Sequence, residues 1–305
     1  MTSTEPNLLI VGPGALGGLF AVRLGRRWPG VYLLDHRAER AARIQEGGFH
    51  VRGVTLADWT PPPGRVRADP KGWPVMDAAF FFIKAPGFAA ALKRAAPVLG
   101  PKTALLVFPE AVDADALKTR ARVIAALAGD RARVEGIGRI VHEASGATRL
   151  DASARGAKEA ADLLREAMIP VTLVKEISEE RWRTLLTEVC VDVPAALADA
   201  PQKSILKPPL KDLADQLLEE CAALAKASGR PVRAAVLRER RAALVAQVPD
   251  AKSPLGWDLI RGRTTERAAL VDPLLAAARK ARVPAPLLTD MNRLLRRLEK
   301  EGPVS

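Results

Sequence analysis

Two patterns of apolar residues divide the chain near Ile177. Before it, short unbroken apolar runs recur: Leu8–Val11, Val31–Leu34, Ala79–Ile83, Ala104–Phe108, Val134–Ile140 and Val171–Val174. Runs this short and uniformly apolar predict strands covered on both faces, as in a parallel sheet. Amphipathic stretches such as Ala38–Glu46 and Phe88–Leu99 lie between them and predict the covering helices. Trp59–Pro74, rich in proline and glycine, is expected to be a loop excursion. After Ile177 the strand signals vanish and helical spacing takes over. Trp182, Leu185, Leu186, Val189 and Val193 form one stripe; Leu210, Leu213, Leu217, Cys221 and Leu224 form another. Ser228-Gly229-Arg230-Pro231 predicts a helix stop.

The first apolar run breaks into Gly12-Pro13-Gly14-Ala15-Leu16-Gly17 and leads into a helical stretch. In that context Gly12 permits a tight turn, Gly14 lets backbone approach a pyrophosphate, and Gly17 lets the helix pack closely on the strand. The N–H groups of Ala15, Leu16 and Gly17 then open the helix towards an anion. The second run ends at Asp35, placed where a carboxylate would hydrogen-bond a ribose 2′-hydroxyl. An acid there favours NAD, whereas Arg37 two residues on suits the 2′-phosphate of NADP, so either cofactor is admitted. The expected fold class is therefore α/β. A Rossmann-type, doubly wound parallel-sheet domain over residues 1–176 binds the dinucleotide. An all-helical C-terminal domain over residues 177–305 serves substrate binding or dimerisation.

Charge and composition narrow the classes. The formal net charge of +12 raises the question of nucleic acid. Arginine and lysine are scattered along helices, however, and aromatics make up only 4%, with no basic–aromatic interleaving for base stacking. No nucleic-acid partner is expected; a basic surface also steers anionic small molecules. No apolar run reaches the length of a membrane span, and MTSTEPN has neither a basic flank nor a signal core, so a cytoplasmic protein with no membrane partner is expected. Cys190 and Cys221 sit in helical patterns and read as reduced core residues. Only His36, His50 and His142 are available as imidazole ligands, and no metal site is expected. Of these, His142 reads as a packing or surface residue, and Trp182 as a core anchor. Oligomeric state is left open, a homodimer included.

The whole chain resembles the ketopantoate reductase (2-dehydropantoate 2-reductase) family. GPGALGGLFAVRL is similar to the family's opening loop and helix, and Phe81-Phe82-Ile83-Lys84-Ala85 to its third-strand motif. Arg181-Trp182-Arg183-Thr184-Leu185 falls where the family has its W-x-K-L helix. Ser253-Pro254-Leu255 with Asp258, then Arg263-Thr264-Thr265-Glu266, resembles its S-M-x-x-D…R-x-T-E segment. Val283-Pro284-Ala285-Pro286 resembles the closing P-x-P turn. The resemblance implies that Lys84 helps hold cofactor and acidic substrate, and that Glu266 binds the substrate hydroxyl or orders the site. It also exposes departures. The family's proton-donating lysine falls on Thr184, and its two following asparagines fall on Glu188 and Asp192. The asparagine of its L-Q-N-G turn falls on Glu110, and the second serine of S-S-M on Pro254.

Thr184, Glu188 and Asp192 stand at i, i+4 and i+8 and share one helix face. Reducing a 2-keto acid builds negative charge on oxygen, which needs a donor or cation; threonine is a poor acid without charge. Three carboxylates in place of amides would repel a keto acid unless Lys84 or an arginine offsets them, and like charges held close would raise a carboxyl pKa. Three functions remain open at this level: reduction of a 2-keto acid such as 2-dehydropantoate; reduction of an imine or amino-bearing ketone; and dinucleotide binding without catalysis.

Overall fold

The computed structural model describes residues 5–109, 112–262 and 265–301, which fall into two compact units, Met1–Ile177 and Ser178–Ser305. In the first unit, β1 (Leu8–Val11), α1 (Ala15–Arg27), β2 (Val31–Leu34) and α2 (Ala38–Gly47) open the fold. β3 (Phe49–Gly53), β4 (Ala57–Trp59), β5 (Val66–Arg67), β6 (Met76–Phe81) and α3 (Ala85–Ala95) follow. Then come β7 (Leu99–Val107), β8 (Arg122–Leu127), β9 (Arg131–Gly136), β10 (Arg139–Ala144), β11 (Thr148–Asp151), α4 (Ala157–Glu166) and β12 (Val171–Val174).

Eight strands form the main sheet in the order β12-β11-β8-β7-β6-β1-β2-β5. Every neighbouring pair in it is parallel except β8 with β11. Alternation along β1 explains why that run is apolar throughout. Leu8 and Ile10 enter one core with Phe20 of α1, Ile44 of α2 and Leu164 of α4. Leu9 and Val11 enter the opposite core with Phe88 and Ala95 of α3. Both faces are covered, so no position on the strand meets water.

A second sheet, in the order β4-β3-β10-β9, was not anticipated from the sequence. It packs over α1: the indole of Trp59 lies where a Cβ on Gly25 would stand. Two expectations are corrected by it. Trp59–Pro74 is not wholly a loop, since Trp59 ends β4 and Val66–Arg67 adds β5 beside β2. Val134–Ile140 is not one strand but two, β9 and β10, reversed at Ile137-Gly138 with Gly138 at φ 72°. His142 on β10 is fully buried, its Nδ1 2.9 Å from Thr55 Oγ1 and its Nε2 3.2 Å from Asp130 Oδ1. Arg23 of α1 donates to Asp130 at 2.6 Å, so an ion pair fastens the second sheet to the helix it covers.

Among the described residues the second unit holds no strand. It contains most of α5 (Ile177–Leu197), and α6 (Leu210–Ala227), α7 (Ala234–Gln247), α8 (Pro254–Ile260), α9 (Arg267–Ala281) and α10 (Pro286–Glu301). One core joins Trp182, Leu186 and Cys190 of α5 to Leu217 and Cys221 of α6, Leu274 of α9 and Met291 of α10. Glu220 of α6 caps α10, its carboxylate accepting the N–H groups of Leu287 and Leu288 at 3.0 and 2.9 Å. No described helix is long and apolar enough to cross a membrane.

Candidate functional site

The glycine-rich loop connects β1 to α1 and is held against the neighbouring strands. Gly12 N–H donates to the Leu34 carbonyl at 3.1 Å, and Gly14 N–H turns back to the Gly12 carbonyl at 2.7 Å. Gly12 sits at φ 82°, a conformation that side chains disfavour. A Cβ on Gly17 would collide with the Gly12 carbonyl oxygen, so helix and turn meet there without room for a methyl group. Gly14 is different. A Cβ there would meet no atom of the protein closer than the Gly12 oxygen at 4.0 Å. The space beside Gly14 is therefore open, as the approach of a pyrophosphate to the backbone needs. The first turn of α1 carries no acidic residue and no capping side chain, which leaves its N–H groups directed at that space. These residues fit a dinucleotide pyrophosphate. Beneath them Phe82 stacks on Phe108 with ring centroids 4.2 Å apart and tilts against Phe20 at 4.8 Å.

Asp35 follows β2 and is buried, at 1% exposure. Its Oδ1 accepts the Arg37 N–H at 3.0 Å, and its Oδ2 lies 3.0 Å from Nη1 of Arg40. The other terminal nitrogen of Arg40 donates to the Pro13 carbonyl at 2.7 Å, so one guanidinium ties the strand-end carboxylate to the glycine loop. Burial lowers the Arg40 pKa from the usual arginine value, with Asp35 opposing that effect; the group stays charged at any ordinary pH. Sequence reasoning singled out Asp35 and missed its counter-ion. The signal was present, since Arg40 lies one helical turn beyond Arg37 on a helix that starts at the strand end. The side chain of Arg37 is exposed.

Lys84 is exposed at the N-cap of α3, directly after the β6 segment that flanks β1. Glu110 lies outside the described residues, as do Arg263 and Thr264.

In the helical unit, α5 carries Thr184, Glu188 and Asp192 along one side; the first two are half-buried and Asp192 is buried. Ser253 caps α8, accepting the Gly256 N–H at 3.0 Å and donating to the Asp192 carbonyl at 3.4 Å. That contact brings the start of α8 onto the α5 face, with Pro254 at the first helical position. Glu266 is the exposed N-cap residue of α9. Beside it, the buried Arg267 donates to Asn292 at 2.7 Å and to Glu299 at 2.9 Å, joining α9 to α10. Arg240 reaches from α7 to the top of the α5 face. Its Nη2 lies 2.9 Å from Glu180 Oε1 and 3.4 Å from Thr184 Oγ1. Nothing in the local sequence signals this contact, which joins residues 56 positions apart.

Known proteins share this fold. A 2-dehydropantoate 2-reductase of Halobacterium salinarum is 25% identical over 97% of this chain and 99% of its own. The crystal structure of a PanE/ApbA family ketopantoate reductase from Ralstonia eutropha superimposes with a TM-score of 0.83 at 20% identity, covering 96% of this chain and 98% of the other. D-mandelate dehydrogenase, solved with NADH and anilino(oxo)acetate, gives a TM-score of 0.83 at 17% identity, covering 96% and 98%. The model of ketopantoate reductase PanE/ApbA matches residues 8–155, and that of the ketopantoate reductase PanE/ApbA C terminal matches residues 176–299. Taken with the loop geometry and the two-unit fold, these matches along the greater part of its length establish that the chain belongs to the ketopantoate reductase family.

Proposed function

We propose that the protein is an NAD(P)H-dependent reductase that transfers hydride to the carbonyl carbon of a 2-oxo acid such as 2-dehydropantoate. The observation that carries the reading is Gly14, a loop glycine beside which the protein leaves space open for an approaching ligand. Bound at the loop, the dinucleotide would supply the hydride. The N–H groups of Ala15, Leu16 and Gly17 hold its phosphates. Lys84 attracts the acidic substrate and, unlike Thr184, offers both a charge and a transferable proton to the oxygen that becomes a hydroxyl. Glu266 orders the substrate hydroxyl.

The surroundings of Asp35 bear on the choice of cofactor. With Arg40 neutralising it and Arg37 exposed beside it, the Asp35 carboxylate is compensated rather than a bare charge against a 2′-phosphate. We therefore read it as open to both cofactors, with NADPH the tighter. Fluorescence titration of NADPH and NADH, followed by nicotinamide absorbance with 2-dehydropantoate, tests both statements. Tighter NADH binding would overturn the cofactor reading. Binding of either nucleotide without turnover of any 2-oxo acid or imine would point to a catalytically silent protein.

A further inference from the structure

Arg240 is a cation on the α5 face whose hydrogen-bonding capacity is only partly used. Its side chain is 30% exposed, and Nη2 is committed to Glu180 and Thr184. Nε is buried and meets no acceptor among the described residues. A guanidinium offers five N–H donors in a fixed fork, and its preferred ligands are carboxylate and phosphate oxygens. Glu180 takes one donor and thereby fixes how the fork is turned; Nη1 remains for an anionic oxygen. Arg183, 3.8 Å from the other oxygen of Glu180, adds positive charge at the same place.

We infer that Arg240 is the residue of the helical unit that binds the substrate carboxylate, with Thr184 supplying a hydroxyl beside it. The inference rests on the 2-oxo acid reading above and names the group that selects an acid over its uncharged counterpart. Arginine does not release its proton at ordinary pH, so Arg240 binds and orients without acting as the proton donor. Threonine suits position 184 for the same reason: it accepts from the guanidinium at 3.4 Å without placing a second cation against it. A lysine there would repel Arg240.

The test compares binding of 2-dehydropantoate with that of its uncharged lactone, by calorimetry in oxidised NADP, where no turnover occurs, and without nucleotide. Wild type is expected to prefer the acid. In Arg240→Gln, acid affinity falls about 10- to 100-fold, the lactone is affected little, and Arg240→Lys restores part of the preference. A purely structural role would weaken acid and lactone together and leave their ratio unchanged, which overturns the inference. It is overturned equally if Arg240→Gln binds the acid as wild type does, or if wild type binds no 2-oxo acid in either condition. Failure of the dinucleotide reading shows separately, as absence of NADP binding in the wild type.

Discussion

Replacing Gly14 by alanine separates what the loop needs for folding from what it needs for binding. The added methyl meets nothing closer than 4.0 Å, so no contact within the protein is broken. Alanine is a poorer N-cap than glycine, but it also restricts the unfolded chain. These opposing effects are each about 0.5–1 kcal/mol and leave stability within about 1 kcal/mol of wild type. Binding responds differently, because the methyl occupies the space that a pyrophosphate must enter. Losing one charge-assisted N–H contact to phosphate costs about 1.5–3 kcal/mol, or about 10- to 100-fold in Kd. Gly17→Ala provides the contrast: its Cβ falls on the Gly12 oxygen, and such overpacking costs about 1–3 kcal/mol. Thermal denaturation and NADPH titration of the two variants give the comparison. Gly14→Ala is expected to melt like wild type and bind poorly, and Gly17→Ala to melt early. NADPH affinity unchanged in a folded Gly14→Ala protein would refute the argument that a ligand explains this glycine.

Two further predictions concern the buried polar groups. Asp130→Asn leaves Arg23 without its buried counter-ion and His142 with a weakened partner; urea denaturation should show a loss of about 3–5 kcal/mol in the Met1–Ile177 unit. A loss below about 1 kcal/mol would mean that water replaces the pair. In the helical core, a hydrogen bond with Cys190 and then burial push the Cys221 thiol well above its usual pKa. The folded state thus holds this thiol neutral. That contribution to stability is complete below the ordinary thiol value of about 8.5 and is lost as pH rises above it. Both thiols should resist a thiol reagent at pH 8 in the native protein and react in urea; rapid native labelling would contradict their burial.

The parts of this fold that are legible in the sequence are those whose burial is uniform. β1 and β2 are apolar at every position because helices cover both faces of their sheet, and the loop glycines stand at fixed offsets from β1. The second sheet escaped for the opposite reason. β3 alternates buried Phe49 and Val51 with exposed His50 and Arg52, and it follows α2 with only Gly48 between. The β9–β10 reversal at Ile137-Gly138 interrupts a stretch that reads as one run. In the site, residue type and spacing singled out Asp35 at the end of β2 and put Thr184 on one face with Glu188 and Asp192. Which cation stands beside each of the first two is a tertiary fact. Arg40 depends on how α2 lies against the glycine loop, and Arg240 on how α7 crosses α5.

Hydride transfer to a 2-oxo acid is here proposed for a member of this family that has threonine where the resemblance implies a catalytic lysine. Incubating the protein with 2-dehydropantoate and NADPH carrying deuterium at the transferable C4 position, then weighing the product, tests it most directly. Pantoate bearing that deuterium at C2 is the expected product. Recovery of unchanged 2-dehydropantoate beside fully bound NADPH would contradict it.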